Sequence, residues 1–121
     1  MSQIPIYFNS ALAATTVLAS GTAPATTTGQ VIGRLDTALI ENPNAALSFV
    51  QLFDAAATSA VTLGTTTPTA VIPCASNAIT PVTNLTGMGL RFRKGIVAAA
   101  TTTATGNTGV STGVVITLSF Q

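Results

Sequence analysis

Arg91, Arg93 and Lys94 form the one dense cluster of charge in this chain. In an extended segment Arg91 and Arg93 fall on the same face, one two-residue step apart. Two guanidiniums so placed suit a carboxylate or a phosphate. The competing reading is a solvated strand face whose charges discourage edge pairing. Nucleic acid is disfavoured as the partner. Three cations without aromatic platforms on their face make a poor groove for a strand, and a net charge of +1 supplies no steering field. Asp36, Glu41 and Asp54 are the only acidic residues, so a carboxylate from a neighbouring subunit is at least as good a candidate partner for the cluster as one from within the chain. Arg91, Arg93 and Lys94 are therefore the expected subunit-contact residues.

No other grouping points to catalysis. Cys74 is the single cysteine and there is no histidine, so neither a disulfide nor a Cys–His nucleophile is available within the chain. Cys74 reads as a small buried hydrophobe of the VIPC segment. Zinc sites want Cys and His, and hard cations want several convergent carboxylates; three scattered acids offer neither. A serine nucleophile needs a general base, and Gly87 and Gly89 do not belong to a phosphate-binding glycine pattern. The expectation is no catalytic, cofactor-binding or metal residues, no cofactor and no enzyme.

Composition points the same way. Seven charged side chains in 121 residues, with 47 % apolar residues, leave a surface of hydroxyls, amides and small apolar groups. Such surfaces favour burial against neighbours over life as a free monomer. Residues 11–19 are too short and too rich in Thr for a membrane span, and no basic residue precedes them as a secretory leader requires. No membrane partner is expected. The Asn84-Leu85-Thr86 sequon is discounted in a chain so rich in threonine.

The elements that must position the cluster read as strands. Residues 114–121 alternate cleanly, with Val114, Ile116, Leu118 and Phe120 on one face and Val115, Thr117 and Ser119 on the other. Residues 47–54 are apolar on both faces, as a central strand covered on both sides would be. Residues 29–40 form a further strand, with Leu35 and Leu39 on one face and Arg34 and Asp36 on the other. The turn at Asn42-Pro43-Asn44 then makes 29–54 a hairpin. Residues 88–100 are extended, with Gly95 as a bulge, and 101–113 form a loop.

Two alanine triplets, 55–57 and 98–100, are too short for free-standing helices. The second stays extended after Ile96 and Val97; one helical turn is admitted near 54–59. Threonine triplets at 26–28, 65–67 and 101–103 are unevenly spaced, which argues against a regular ice-binding array. The chain therefore divides into residues 1–28, an N-terminal arm or partly ordered segment that orders against a partner, and 29–121, the globular domain. The fold class is all-β: an antiparallel β-sandwich or jelly-roll-like barrel with an extended N-terminal arm.

Over residues 42–120 the chain resembles small structural proteins of tailed bacteriophages. The resemblance lies in NPNAA (42–46), FVQLFDAA (49–56), TLGTTTP (62–68), VIP (71–73), GLRFRKGIVAAATTTATG (89–106) and VVITLSF (114–120). It implies a virion component, with no catalytic residues to carry over, and head decoration (cement) proteins and minor tail proteins are the kinds it suggests. The expected function is capsid decoration on the outside of the head, the particle being assembled in the host cytoplasm. The expected partners are the major capsid protein and further copies of the chain, as a homotrimer. A minor tail or baseplate component, or an adhesin-type binding module, is the alternative. Tyr7 as sole Tyr and the lack of Trp speak against a sugar-stacking adhesin.

Overall fold

The computed structural model describes residues 6–12, 18–21, 33–55, 58–82 and 91–120. Nine strands occur among them: β1 (Ile6–Leu12), β2 (Leu18–Gly21), β3 (Gly33–Asn42), β4 (Ser48–Asp54), β5 (Ala70–Cys74), β6 (Ala78–Val82), β7 (Arg91–Phe92), β8 (Ile96–Thr101) and β9 (Val114–Phe120), with one 3-10 turn at Thr58–Ala60. Every pairing is antiparallel. The first sheet has the order β1-β9-β3-β6, with β7 alongside β3, and the second has the order β2-β8-β4-β5. Setting aside the two-residue β7, the chain changes sheet at every connection except β4 to β5. That is the eight-stranded double-sheet arrangement of a jelly roll, and the all-β fold expected from sequence is present.

The core lies between the sheets. Ala38, Ile40, Val114, Ile116 and Phe92 of the first sheet meet Val50, Leu52, Ile72, Cys74, Ile96, Ala98 and Ala100 of the second. The alternation of β9 holds, with Val114 and Ile116 fully buried and Val115 and Thr117 half-buried. β4 is central and buried on both faces as read. Val50 and Leu52 face the first sheet, while Phe53 joins Ala55, Val61, Leu63, Val97 and Ala99 in a second cluster on the other side. The β4–β5 connection folds back to supply Val61 and Leu63. Ala98–Ala100 remain extended within β8 because both faces of that strand are buried and small side chains fill the space.

Four expectations are corrected. Residues 29–54 do not form a hairpin: β3 and β4 lie in opposite sheets, and residues 43–47 arch between them. The strands bury facing sides across a gap of about 10 Å, which a five-residue arch can span and a tight turn cannot. The face assignment in β3 also inverts, with Ala38 and Ile40 buried and Leu39 exposed. A register shift between Leu35 and Thr37 is the cause, since one extra residue swaps inside and outside beyond it. Gly95 is not a bulge in one strand. It is where the chain leaves the first sheet at β7 and enters the second at β8, with φ of +151°. Finally, segment 1–28 is not wholly an arm. Its described residues are β1 and β2, edge strands paired within the chain to β9 and β8, because alternating sequence such as Ile6–Leu12 can complete a sheet edge. The rest of 1–32, and residues 83–90, lie outside the described residues.

Candidate functional site

The basic cluster sits at one end of the sandwich. Phe92 is fully buried in the core, so strand alternation sends its neighbour outward, and Arg93 and Lys94 are exposed. Gly95 then turns the chain into β8 with a backbone angle that a side chain would strain. Asp54, the last residue of β4, fixes this turn from the second sheet. Its Oδ1 accepts the backbone N–H of Arg93 at 3.0 Å and of Lys94 at 2.8 Å. Asp54 thus reaches the cluster through its amides, an intramolecular partner that sequence reading left open.

Register adds a residue that the sequence did not connect. Arg34 pairs with Arg91 where β3 meets β7, and Gly33 pairs with Phe92. The chain has four Lys and Arg in all, and pairing brings Arg34, Arg91, Arg93 and Lys94 to this one end. No local pattern marks Arg34 for this. The contact exists only because β7 joins the first sheet beside β3.

A cleft of about 320 Å³ opens next to the turn, between Asp54, Thr66, Thr67, Thr69 and Lys94. Two of its hydroxyls are structural. Thr69 Oγ1 accepts the Asp54 N–H at 3.2 Å, and Thr66 Oγ1 accepts the Thr62 N–H at 2.9 Å. They hold the β4–β5 connection in place. What this end presents is the exposed charge of Arg93 and Lys94 on a turn held by Asp54.

The opposite end is organised by amides. Asn42 Nδ2 donates to the carbonyls of Ala46, Cys74 and Ala75 at 3.2, 3.1 and 3.0 Å. Its Oδ1 accepts from Asn44 N–H, Asn44 Nδ2 and Ser48 Oγ at 3.0, 2.9 and 3.3 Å. Asn44 reaches on to Thr112, donating to its carbonyl at 2.9 Å and accepting its N–H at 2.7 Å, and its own carbonyl accepts the Asn77 N–H at 2.9 Å. The β3–β4 arch, the β5–β6 turn and the β8–β9 loop are thereby tied together. Beside this hub lies an open cleft of about 470 Å³ lined by Glu41, Pro43, Asn77, Ala78 and Ile79.

The two outer faces differ. The second sheet is covered by the β4–β5 connection and by the β8–β9 loop, where Gln51 Nε2 donates to Thr101 Oγ1 at 2.8 Å and to the Gly106 carbonyl at 3.0 Å. On the first sheet Leu39 is 48 % and Ile79 64 % exposed. Register sets Leu39 opposite Pro81, and Glu41 opposite Ile79.

Cys74 is fully buried in the core, as expected, and its thiol donates to the Ile72 carbonyl at 3.3 Å. Burial pushes the thiol up to about 11, against a smaller opposing pull from the Val50 backbone. Such a group is a packing residue. Among the described residues no three His, Cys, Asp or Glu come together as a metal site, and no helix is long and apolar enough to cross a membrane. Comparison with protein-family models, with curated proteins and with solved structures finds no match.

Proposed function

We propose that this chain is a structural protein of a tailed-bacteriophage particle, a decoration (cement) protein that seats on the outside of the head and ties major capsid subunits together. The observation that carries the reading is the asymmetry of the two faces. One sheet is roofed by the chain's own loops, while the other presents Leu39 and Ile79 to solvent. Large apolar groups exposed on the outer face of a sheet favour a docking role, and Leu39 and Ile79 are two such groups among the described residues. Two further points support it. The sequence resemblance spans residues 42–120, and the jelly roll is an architecture used by viral coat proteins. The same architecture serves lectins and cupins, but the chain has one Tyr, no Trp and no His with which to build their sites.

The mechanism is differential binding. A copy that binds assembled capsid subunits, and not unfolded ones, stabilises the shell by mass action. An interface on the order of 1,600 Å² is the usual scale for such a contact. A homotrimer at local threefold positions matches the symmetry of a shell. No cofactor takes part.

The test is co-expression with the major capsid protein of the same phage genome, followed by gradient sedimentation. Decoration places the chain in the shell fraction and raises the temperature at which shells break open. A chain that stays at the top of the gradient beside intact shells sinks the reading. A chain that instead travels with tails assigns it to a minor tail or baseplate position.

A further inference from the structure

We infer that copies of this chain bind one another head to tail, with the Arg93–Lys94 turn of one copy seated in the Glu41 cleft of the next. The inference rests on the reading of the chain as an assembling shell component and names the contact between copies, which takes Ile79 of the exposed face and leaves Leu39 to the shell.

The argument begins with how the fold distributes charge. All four basic residues gather at the end where β3 begins and β7 crosses to β8. Two of the three acids, Asp36 and Asp54, belong to that end as well, and Asp54 is occupied with the two backbone amides of the turn. Glu41 lies near the other end of β3, eight residues from the Gly33–Phe92 pair. At about 3.3 Å per residue the separation is roughly 25 Å. The molecule therefore has a basic end and, far from it, a single acidic site. These two surfaces cannot meet within one copy, but they complement each other between copies.

The cleft fits the side chains that would enter it. It is open, about 470 Å³ in volume, with Glu41 and Ile79 along its lining. Glu41 and Ile79 are register partners on neighbouring strands, and Ile79 is 64 % exposed. A carboxylate beside an exposed aliphatic group suits a Lys or Arg side chain, whose stem packs on the apolar surface while its head meets the charge. Arg93 and Lys94 are exposed cations of that kind. They stand on a turn fixed by Asp54, so their backbone needs little further ordering on binding.

A contact between two different surfaces of the same molecule is heterologous. It closes into a ring, a trimer being the smallest, or continues as a filament; it does not produce a symmetric dimer.

Sedimentation equilibrium of the purified chain, without shells, tests this. Glu41→Lys alone, and Arg93→Glu with Lys94→Glu, each weaken self-association by roughly tenfold or more. The variant carrying all three reversals recovers most of it, because the two reversed surfaces again complement each other. Association of the unaltered chain also falls as salt rises. Circular dichroism confirms that each variant remains a β-protein, and recovery in the combined variant cannot come from misfolding. A chain that is monomeric without shells overturns the inference. So does a combined variant no better than the weaker of its parents, or loss on reversing the basic end alone with none on reversing Glu41, which assigns that end to another acceptor such as an acidic protein or nucleic acid. Decoration of shells is read separately, by co-sedimentation with them, so either reading can fail without the other.

Discussion

Asn42 and Asn44 share one oxygen: the Oδ1 of Asn42 accepts both the backbone N–H and the side-chain Nδ2–H of Asn44, at 3.0 and 2.9 Å. Both residues are buried at the end of the sandwich, and between them they join three loops that come from distant parts of the chain. The relationship explains why β3 and β4 part into separate sheets. The arch between them is held from inside by amide groups, where a hairpin would be held by a ladder between its strands.

Asn42→Ala should therefore be among the most damaging polar substitutions in the chain. It strips donors from the Ala46, Cys74 and Ala75 carbonyls and the acceptor from Asn44. Each buried group left without a partner costs about 1–3 kcal/mol, and water entering the gap offsets part of this, so a loss of roughly 3–5 kcal/mol is expected. Urea unfolding measures it. Asn44→Ala should cost less, and a double-mutant cycle should show coupling of about 0.5–3 kcal/mol because the pair shares hydrogen bonds. Additive losses would mean that the shared oxygen is incidental.

The Asp54 contact predicts a contrast between two substitutions. Asp54→Asn keeps an oxygen where Oδ1 receives the Arg93 and Lys94 amides at 3.0 and 2.8 Å. It should lose under about 1 kcal/mol, while Asp54→Ala should lose roughly 1–2 kcal/mol. Hydrogen exchange at residues 93 and 94 should quicken in the alanine variant and change little in the asparagine variant. Equal exchange in the two would show that the turn does not depend on this acceptor.

How much of this was legible in the sequence varied with the range of the interaction. β9 was readable from alternation and β4 from apolar residues on both of its faces, each a pattern contained within seven residues. The Ala98–Ala100 run was readable because its neighbours Ile96 and Val97 favour strand. The β3 face was misread because the register shift between Leu35 and Thr37 leaves no mark in composition. At Asn42-Pro43-Asn44 the residues looked like a turn, and only the three-dimensional arrival of Cys74, Ala75 and Thr112 makes them a hub. Arg93 and Lys94 were identified from local density of charge. Arg34 joins them through the β3–β7 pairing, and Glu41 becomes noticeable only once Ile79 lies beside it.

Gln51 carries an internal imbalance that mutation should reveal. Its Nε2 donates to Thr101 Oγ1 and the Gly106 carbonyl, while its Oε1 is buried without a hydrogen-bond partner. Gln51→Met removes that orphan but also leaves the Gly106 carbonyl without its donor. The lost bonds should prevail, with a net destabilisation of about 1–2 kcal/mol. Faster hydrogen exchange across residues 102–108 should accompany it, since the β8–β9 loop is pinned to the outer face of β4 through this amide. A neutral or stabilising result would mean that the orphan oxygen costs as much as the two donated bonds supply.

Cys74 should make the protein sensitive to alkali in a defined window. Its thiol ordinarily titrates at 9.0, and burial raises this to about 11 in the folded chain. Below pH 9 both the folded and the unfolded states keep the proton, and stability is fully present. Above it the unfolded chain ionises first, so the unfolded state gains and stability falls as pH climbs towards 11. At about 1.4 kcal/mol for each pH unit, the loss attributable to this thiol approaches roughly 2–3 kcal/mol at the top of the window. Cys74→Ala should begin about 1 kcal/mol less stable, because it leaves a small cavity in the core, but its stability should decline less steeply through the same range. Urea midpoints of the two proteins across the window give the comparison. In the native protein the thiol should also react slowly with a disulfide reagent, and at the rate of a free thiol once urea unfolds the chain. Parallel pH profiles for the two proteins, or rapid modification of the native state, would show that Cys74 is not held protonated in the core.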